Sequence, residues 1–270
     1  GIQSFNAQHL KALGRIHDDA EARQAIEIAQ ANFDNFNLDL MYALPRQTLE
    51  QALDDINVAL SFRPPHLSAY HLTLEPNTLF YQQPPALPDE DAAADMQQRI
   101  EDRLAAAGYA NYETSAFAQA GRRCKHNLNY WQFGDYLGVG AGAHSKISFL
   151  DRIERAMRYK QPAAYVKQAL SGAPGAATQP TLPTVQEAHH VQAPDLPFEF
   201  MMNALRLRNG FPVALFQERT GLPIHVIQDQ LAQAEARGLI ERDHLAITPT
   251  PHGCRFLNDL LQIFLREDKA

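Results

Sequence analysis

The chain opens on a short apolar run, Ile2-Gln3-Ser4-Phe5, and residues 1–150 then alternate between β-like and helical patterns. Asp18 is placed to cap a helix whose Ala22, Ile26 and Ala29 share one face. Residues 36–42 are apolar with little alternation, the pattern of a strand covered on both sides. Leu44-Pro45 ends that strand, Thr48 caps a helix reaching Phe62, and Pro64-Pro65 stops it. Residues 67–74 read as the next strand, 89–107 as a long Ala-rich helix closed by Gly108, and 109–114 as another short strand. One helix between successive strands predicts repeated βα units around a parallel sheet or barrel.

The pattern then changes. Residues 171–197 hold Pro174, Pro180, Pro183, Pro194 and Pro197 among Ala, Gly, Gln and Thr, so 151–197 read as a connecting arm or linker. Residues 198–270 form a second unit with helix candidates at 198–207, 213–219, 224–237 and 252–266. Between the last two, residues 238–248 make two short β-like pieces around a charged turn. Helix, helix and hairpin outline a winged helix-turn-helix.

Composition narrows the function. With 270 residues and 45% hydrophobic positions, the chain has material for one large domain and a small one. A net charge of −7 gives no general attraction to nucleic acid or anionic membrane. Within 198–270 the carboxylates outnumber Arg and Lys, the wrong sign for phosphate recognition. No apolar run reaches the ~18 residues of a membrane span, and no opening segment reads as a signal peptide. The 2 cysteines, Cys124 and Cys254, are too few for a disulfide framework and suit a reducing cytosol, so a cytoplasmic location is expected. Gly1 leads directly into an apolar strand end without Met, which reads as truncation of a longer chain.

Several segments could carry chemistry. Asp39 lies near the end of a buried-looking strand, where the active site of a βα barrel gathers its residues. It is either a structural carboxylate held by backbone amides or a ligand contact. Gln3 and Thr73 sit near other strand ends, and Arg15 follows the first short helix; a surface ion pair explains Arg15 equally well. Gly138, Gly140 and Gly142 alternate, as in a strand that a ligand or second backbone approaches closely. This is no dinucleotide fingerprint, because Ala143 stands where the last glycine belongs. Residues 124–131 combine a thiol, an imidazole, two carboxamides and the 1 Trp of the chain. Either Tyr130 and Trp131 are core with His126 pinning a loop, or imidazole and aromatics face a haem.

Taken together these segments resemble the HemW-type radical-SAM family, which is related to the oxygen-independent coproporphyrinogen III oxidases. The resemblance rests on five ordered blocks: Gly1-Ile2-Gln3-Ser4-Phe5-Asn6 with residues 9–17; Asn37-Leu38-Asp39-Leu40-Met41-Tyr42-Ala43-Leu44-Pro45-Arg46-Gln47-Thr48; His66-Leu67-Ser68-Ala69-Tyr70 with Leu74-Glu75-Pro76; His126-Asn127-Leu128-Asn129-Tyr130-Trp131 with the following Gly-x-Gly-Ala-Gly-Ala-His-Ser; and residues 198–207, like the start of the family's carboxyl-terminal domain. Ala43 and Arg46 depart from glycines usual in the family.

That resemblance implies an α/β fold: a partial (β/α) radical-SAM barrel, truncated at its amino terminus, followed by a smaller helical, winged-helix-like domain. The expected domains are 1–150, 151–197 and 198–270. The resemblance also implies a 4Fe–4S cluster and S-adenosylmethionine. Gln3, Arg15 and Asp39 match polar contacts to S-adenosylmethionine, and Thr73 and His144 fall on strand positions lining the same pocket. His126 matches the family's haem-binding position. The family's Cys-x-x-x-Cys-x-x-Cys motif is absent from this chain, so no cluster ligand is expected here, nor cleavage of S-adenosylmethionine. The implied function is haem binding and transfer to an acceptor protein. The alternative is oxidative decarboxylation of coproporphyrinogen III.

Overall fold

A computed structural model describes residues 1–171 and 182–265. The expected arm between 172 and 181, and the end of the last expected helix at Arg266, lie outside the described residues. The chain folds as two compact units, Gly1–Cys124 and Lys125–Ala270.

The first unit begins with helix α1 (Ala7–Ala12) and α2 (Asp19–Asn32). Strand β1 (Asn37–Tyr42) and helix α3 (Leu49–Ser61) follow. Next come β2 (His66–His71), the short α4 (Leu79–Gln82) and α5 (Glu90–Ala106). Strands β3 (Ala110–Asn111) and β4 (Ala116–Ala118) complete it. The helix starts have local causes. Asp18 and Glu21 form a reciprocal capping box on α2, and Thr48 with Gln51 does the same on α3. Asp89 caps α5 by accepting the Ala92 amide.

The sheet order is β1-β2-β4-β3. β1 and β2 are parallel, as the βα pattern predicts. β4, however, runs antiparallel to both β2 and β3. The connection at residues 112–115 is too short for a crossover, which takes about a dozen residues, so β3 and β4 pair as a hairpin. β1 is also not covered on both sides. Leu38, Leu40 and Tyr42 are buried, while Asn37, Asp39 and Met41 face the other way. The buried row packs with Ile56 and Ala59 of α3 and Met96, Ile100 and Leu104 of α5. Each large apolar side chain buried there contributes about 1.5–3 kcal/mol.

The second unit starts with α6 (Lys125–Trp131), β5 (His144–Ser148), β6 (Ile153–Arg158) and α7 (Pro162–Ser171). Strand β7 (Val185–His190) completes an antiparallel sheet in the order β5-β6-β7. The proline-rich stretch therefore carries a strand as well as linker. Pro183 and Pro194 flank β7 without interrupting its pairing with β6.

Helix α8 (Leu196–Ala204), β8 (Phe211–Pro212), α9 (Val213–Thr220), a 3₁₀ turn at Ile224–Ile227 and α10 (Gln228–Ala236) come next. The hairpin β9 (Ile240–Arg242) and β10 (Ala246–Pro249) pairs with β8 in the order β8-β10-β9. α11 (Pro251–Arg255) and α12 (Leu257–Gln262) follow. This is the topology of a winged helix. Phe200 is its hub, with the rings of Phe133, Phe211 and Phe216 at 5.8, 5.1 and 5.2 Å. Gly210 has φ +64, and a Cβ there would lie 2.0 Å from the Ile247 carbonyl oxygen, so only glycine lets β8 approach β10.

Candidate functional site

In the first unit the polar row of β1 meets its counterpart on β2. The register pairs Asn37 with His66, Asp39 with Ser68 and Met41 with Tyr70. Period-two alternation sends these side chains to one face. Gln3 joins the free edge of β1. Its amide donates to the Asp39 carbonyl at 2.7 Å, and its carbonyl accepts the Met41 amide at 2.8 Å. Gln3 does this at φ 68, a left-handed conformation that costs a non-glycine residue about 1–3 kcal/mol.

The next two residues hold that turn in place. Ser4 donates its hydroxyl to Asp55 at 2.7 Å, and the Phe5 amide donates to the same carboxylate at 2.7 Å. Burial pushes the Asp55 carboxyl up to about 6, against the opposing effect of these two donors.

Asp39 accepts the Asn37 amide nitrogen at 2.7 Å on Oδ1, while Oδ2 lies 3.2 Å from the amino nitrogen of Gly1. Behind Asn37, the His66 Nδ1 lies 2.7 Å from the Asn37 Oδ1, and His66 Nε2 lies 2.8 Å from the Tyr112 hydroxyl. Asn37, His66 and Tyr112 were not singled out from the sequence. The i, i+2 polar spacing of Asn37 and Asp39 and of His66 and Ser68 signals the first two; Tyr112 carries no local signal.

The structure thus brings Gln3 and Asp39 together. Arg15 is exposed in the loop after α1, and among the described residues no hydrogen bond or ion pair joins its side chain to either. Thr73 lies two positions beyond β2, exposed, and donates to Glu75 at 2.8 Å. His144 and His126 belong to the second unit.

In that unit α6 presents His126 to solvent, with its ring edge-on to Tyr130 at 4.8 Å. Tyr130 stacks on Tyr136 at 4.2 Å. The Tyr136 hydroxyl accepts from Arg155 at 3.2 Å, and Arg155 also pairs with Glu199. Arg206 lies over the Trp131 ring at 5.1 Å. The Trp131 indole nitrogen is buried with no acceptor among the described residues. His144 opens β5 opposite Met157 and lines a hollow of about 100 Å³ with Arg155, Met157, Glu187 and His189. The alternating glycines form a turn before β5, with no regular strand. A Cβ on Gly138 would meet the His144 carbonyl oxygen at 2.3 Å, so the close backbone approach is real.

Residues 191–256 match the HemN C-terminal domain. The chain is 44% identical to the haem chaperone HemW of Haemophilus influenzae over 270 residues, 99% of this chain and 67% of that protein. Against the haem chaperone HemW of Escherichia coli it is 45% identical over 271 residues, covering 68% of that protein.

The chain belongs to the HemW family.

A solved structure, the coproporphyrinogen III oxidase HemN of Escherichia coli, superposes on 97% of this chain and 62% of its own, with a TM-score of 0.74 and 19% identity. The likeness at that identity is one of fold: this HemW-family chain has the radical-SAM α/β architecture with the carboxyl-terminal domain that follows it.

The residues present bear differently on the groups this fold implies. An iron–sulfur cluster is held by cysteine thiolates. Cys124 and Cys254 lie in different units, and no three His, Cys, Asp or Glu side chains gather into a metal site among the described residues. The chain supplies no such ligand set. The polar face around Gln3 and Asp39, with a carboxylate 32% exposed, does fit a cationic, hydroxyl-bearing ligand. No described helix is long and apolar enough to cross a membrane.

Proposed function

We propose that this chain, like the relatives named haem chaperones, handles haem, binding it on α6 through His126 and passing it to an acceptor protein. The observation that carries this reading is the exposed imidazole of His126 set edge-on to a stacked tyrosine pair. An imidazole nitrogen is a common axial ligand to haem iron, and flat aromatic side chains suit the face of a macrocycle. Among the described residues the His126 ring nitrogens have no hydrogen-bond partner, so they are available to a metal.

The same reading takes Gln3, Arg15, Asp39 and Thr73 of the first unit as contacts to S-adenosylmethionine, with Gln3 and Asp39 best supported by their mutual bonding. That cofactor, with a 4Fe–4S cluster held by cysteines outside this chain, would support the haem-handling role. A cytoplasmic location suits two thiols that form no disulfide.

Titration of the chain with haemin, followed at the Soret band, tests the reading. His126→Ala should weaken binding about tenfold or more, the loss of one metal–ligand bond, and should slow transfer to a haem-free acceptor such as apomyoglobin. An unchanged Soret band and titration curve in His126→Ala would overturn it.

A further inference from the structure

We propose that Tyr112, His66 and Asn37 form a one-way hydrogen-bond relay that orients the Asp39 carboxylate toward its ligand. The inference rests on the reading of Asp39 as an S-adenosylmethionine contact, and it adds three positioning residues behind it.

The polarity of the relay follows from its open end. A carboxylate only accepts, so the Asn37 group 2.7 Å from Asp39 Oδ1 is the amide nitrogen. The Asn37 oxygen therefore faces inward, where it accepts the Ser68 hydroxyl at 3.1 Å and the His66 Nδ1–H at 2.7 Å. His66 then carries its proton on Nδ1, and Nε2 accepts the Tyr112 hydroxyl at 2.8 Å. The Tyr112 oxygen in turn accepts the Cys124 amide at 3.3 Å. Each link is the only assignment compatible with the one before it. A protonated His66 would leave both ring nitrogens as donors and reverse the last link. Burial of His66 holds its imidazole below the usual value, outweighing the opposite pull of Asp39.

The relay runs from core to opening. Tyr112 is 2% exposed and His66 3%, whereas Asn37 is exposed and the Asp39 side chain is 32% exposed. Arg123 lies over the Tyr112 ring at 5.5 Å, which favours the phenol as a donor. Aligned donors polarise one another where they are buried, at Tyr112 and His66, and the exposed Asn37 amide carries that alignment to Asp39. It fixes Oδ1 and leaves Oδ2 as the oxygen that meets a cation.

The test combines binding and spectroscopy on the full chain. Binding of S-adenosylmethionine itself is measured by calorimetry for the unaltered chain and for Asp39→Asn, Tyr112→Phe and Asn37→Ala. Nitrogen-15 shifts of His66 report its tautomer. Expected are loss of binding in Asp39→Asn and about tenfold weaker binding in Tyr112→Phe and Asn37→Ala, the size of one charge-assisted hydrogen bond. His66 should be neutral with its proton on Nδ1 at neutral pH, and should become a tautomer mixture in Tyr112→Phe. If Asp39→Asn loses binding while both other variants bind as the unaltered chain does, the relay is overturned and the ligand site stands. If Asp39→Asn binds normally, or the unaltered chain does not bind, the site reading fails and the relay loses its role. An Nε2–H tautomer or an imidazolium for His66 overturns the polarity, even if a variant fails to fold.

Discussion

Ser4 and Asp55, 51 positions apart, share a buried hydrogen bond of 2.7 Å. The bond ties helix α3 to the turn on which Gln3 rests against β1. A single acid inside the α3 interface therefore governs how the first residues are held, and its ionisation couples that hold to pH.

The Asp55 carboxyl titrates near 6 when folded, above the ordinary 3.8 expected for the unfolded chain. Between those values the folded state binds the extra proton, so stability from this group is greatest below about 4 and falls as pH rises through 6. The span is about 3 kcal/mol. Urea midpoints at pH 4.5 and 7 should show this decline in the unaltered chain, and Asp55→Asn should flatten it. Asp55→Ala should cost about 1–3 kcal/mol throughout, because it leaves the Ser4 hydroxyl and Phe5 amide buried without an acceptor.

Gln3 offers a different separation. Its backbone bonds to β1 survive replacement by glycine, which has no penalty at φ 68. Gln3→Gly should leave stability unchanged or raise it by up to about 1 kcal/mol, yet weaken binding of S-adenosylmethionine in calorimetry. Equal binding would reduce Gln3 to an edge residue.

Lys146 is 1% exposed and bonds Asp135 at 3.0 Å, the Phe133 carbonyl at 3.0 Å and the Ser148 hydroxyl at 3.2 Å. Burial lowers its ammonium from the usual value, against the pull of Asp135. Asp135, itself partly exposed, is held below the usual carboxylate range because its hydrogen bonds to Ser148 and Lys146 outweigh its desolvation. Removing the anion strands a buried cation, so Asp135→Ala should cost about 2 kcal/mol in thermal or urea unfolding. Lys146→Met, which removes the charge and keeps the length, should cost less. The reverse order would mean that the ion pair is not what holds β5 to the preceding loop.

Much of the architecture was legible in short-range chemistry. Asp18, Thr48 and Asp89 announce their helices because a cap needs only a few neighbouring residues. The wing was readable because its hairpin and two preceding helices are contiguous in sequence. The β4 strand was not, since three residues of it become a strand only by pairing with β2 and β3. β7 was hidden by the prolines beside it, whose signal is stronger than that of the strand they flank. The candidate residues divide the same way. Gln3, Asp39 and His126 stand in local blocks, whereas the hydrogen bond between His66 and Tyr112 joins residues 46 positions apart and no local pattern encodes it.

The ring of Phe133 against Phe200 has a practical meaning for dissecting the molecule. The family-matched segment 191–256 looks like a self-sufficient module, but its hub draws one wall from residues far upstream. Cut out alone, it would present bare aromatic surface to water and tend to self-associate. A severing point between Cys124 and Lys125 spares that wall and keeps α6 with the domain it helps to seal.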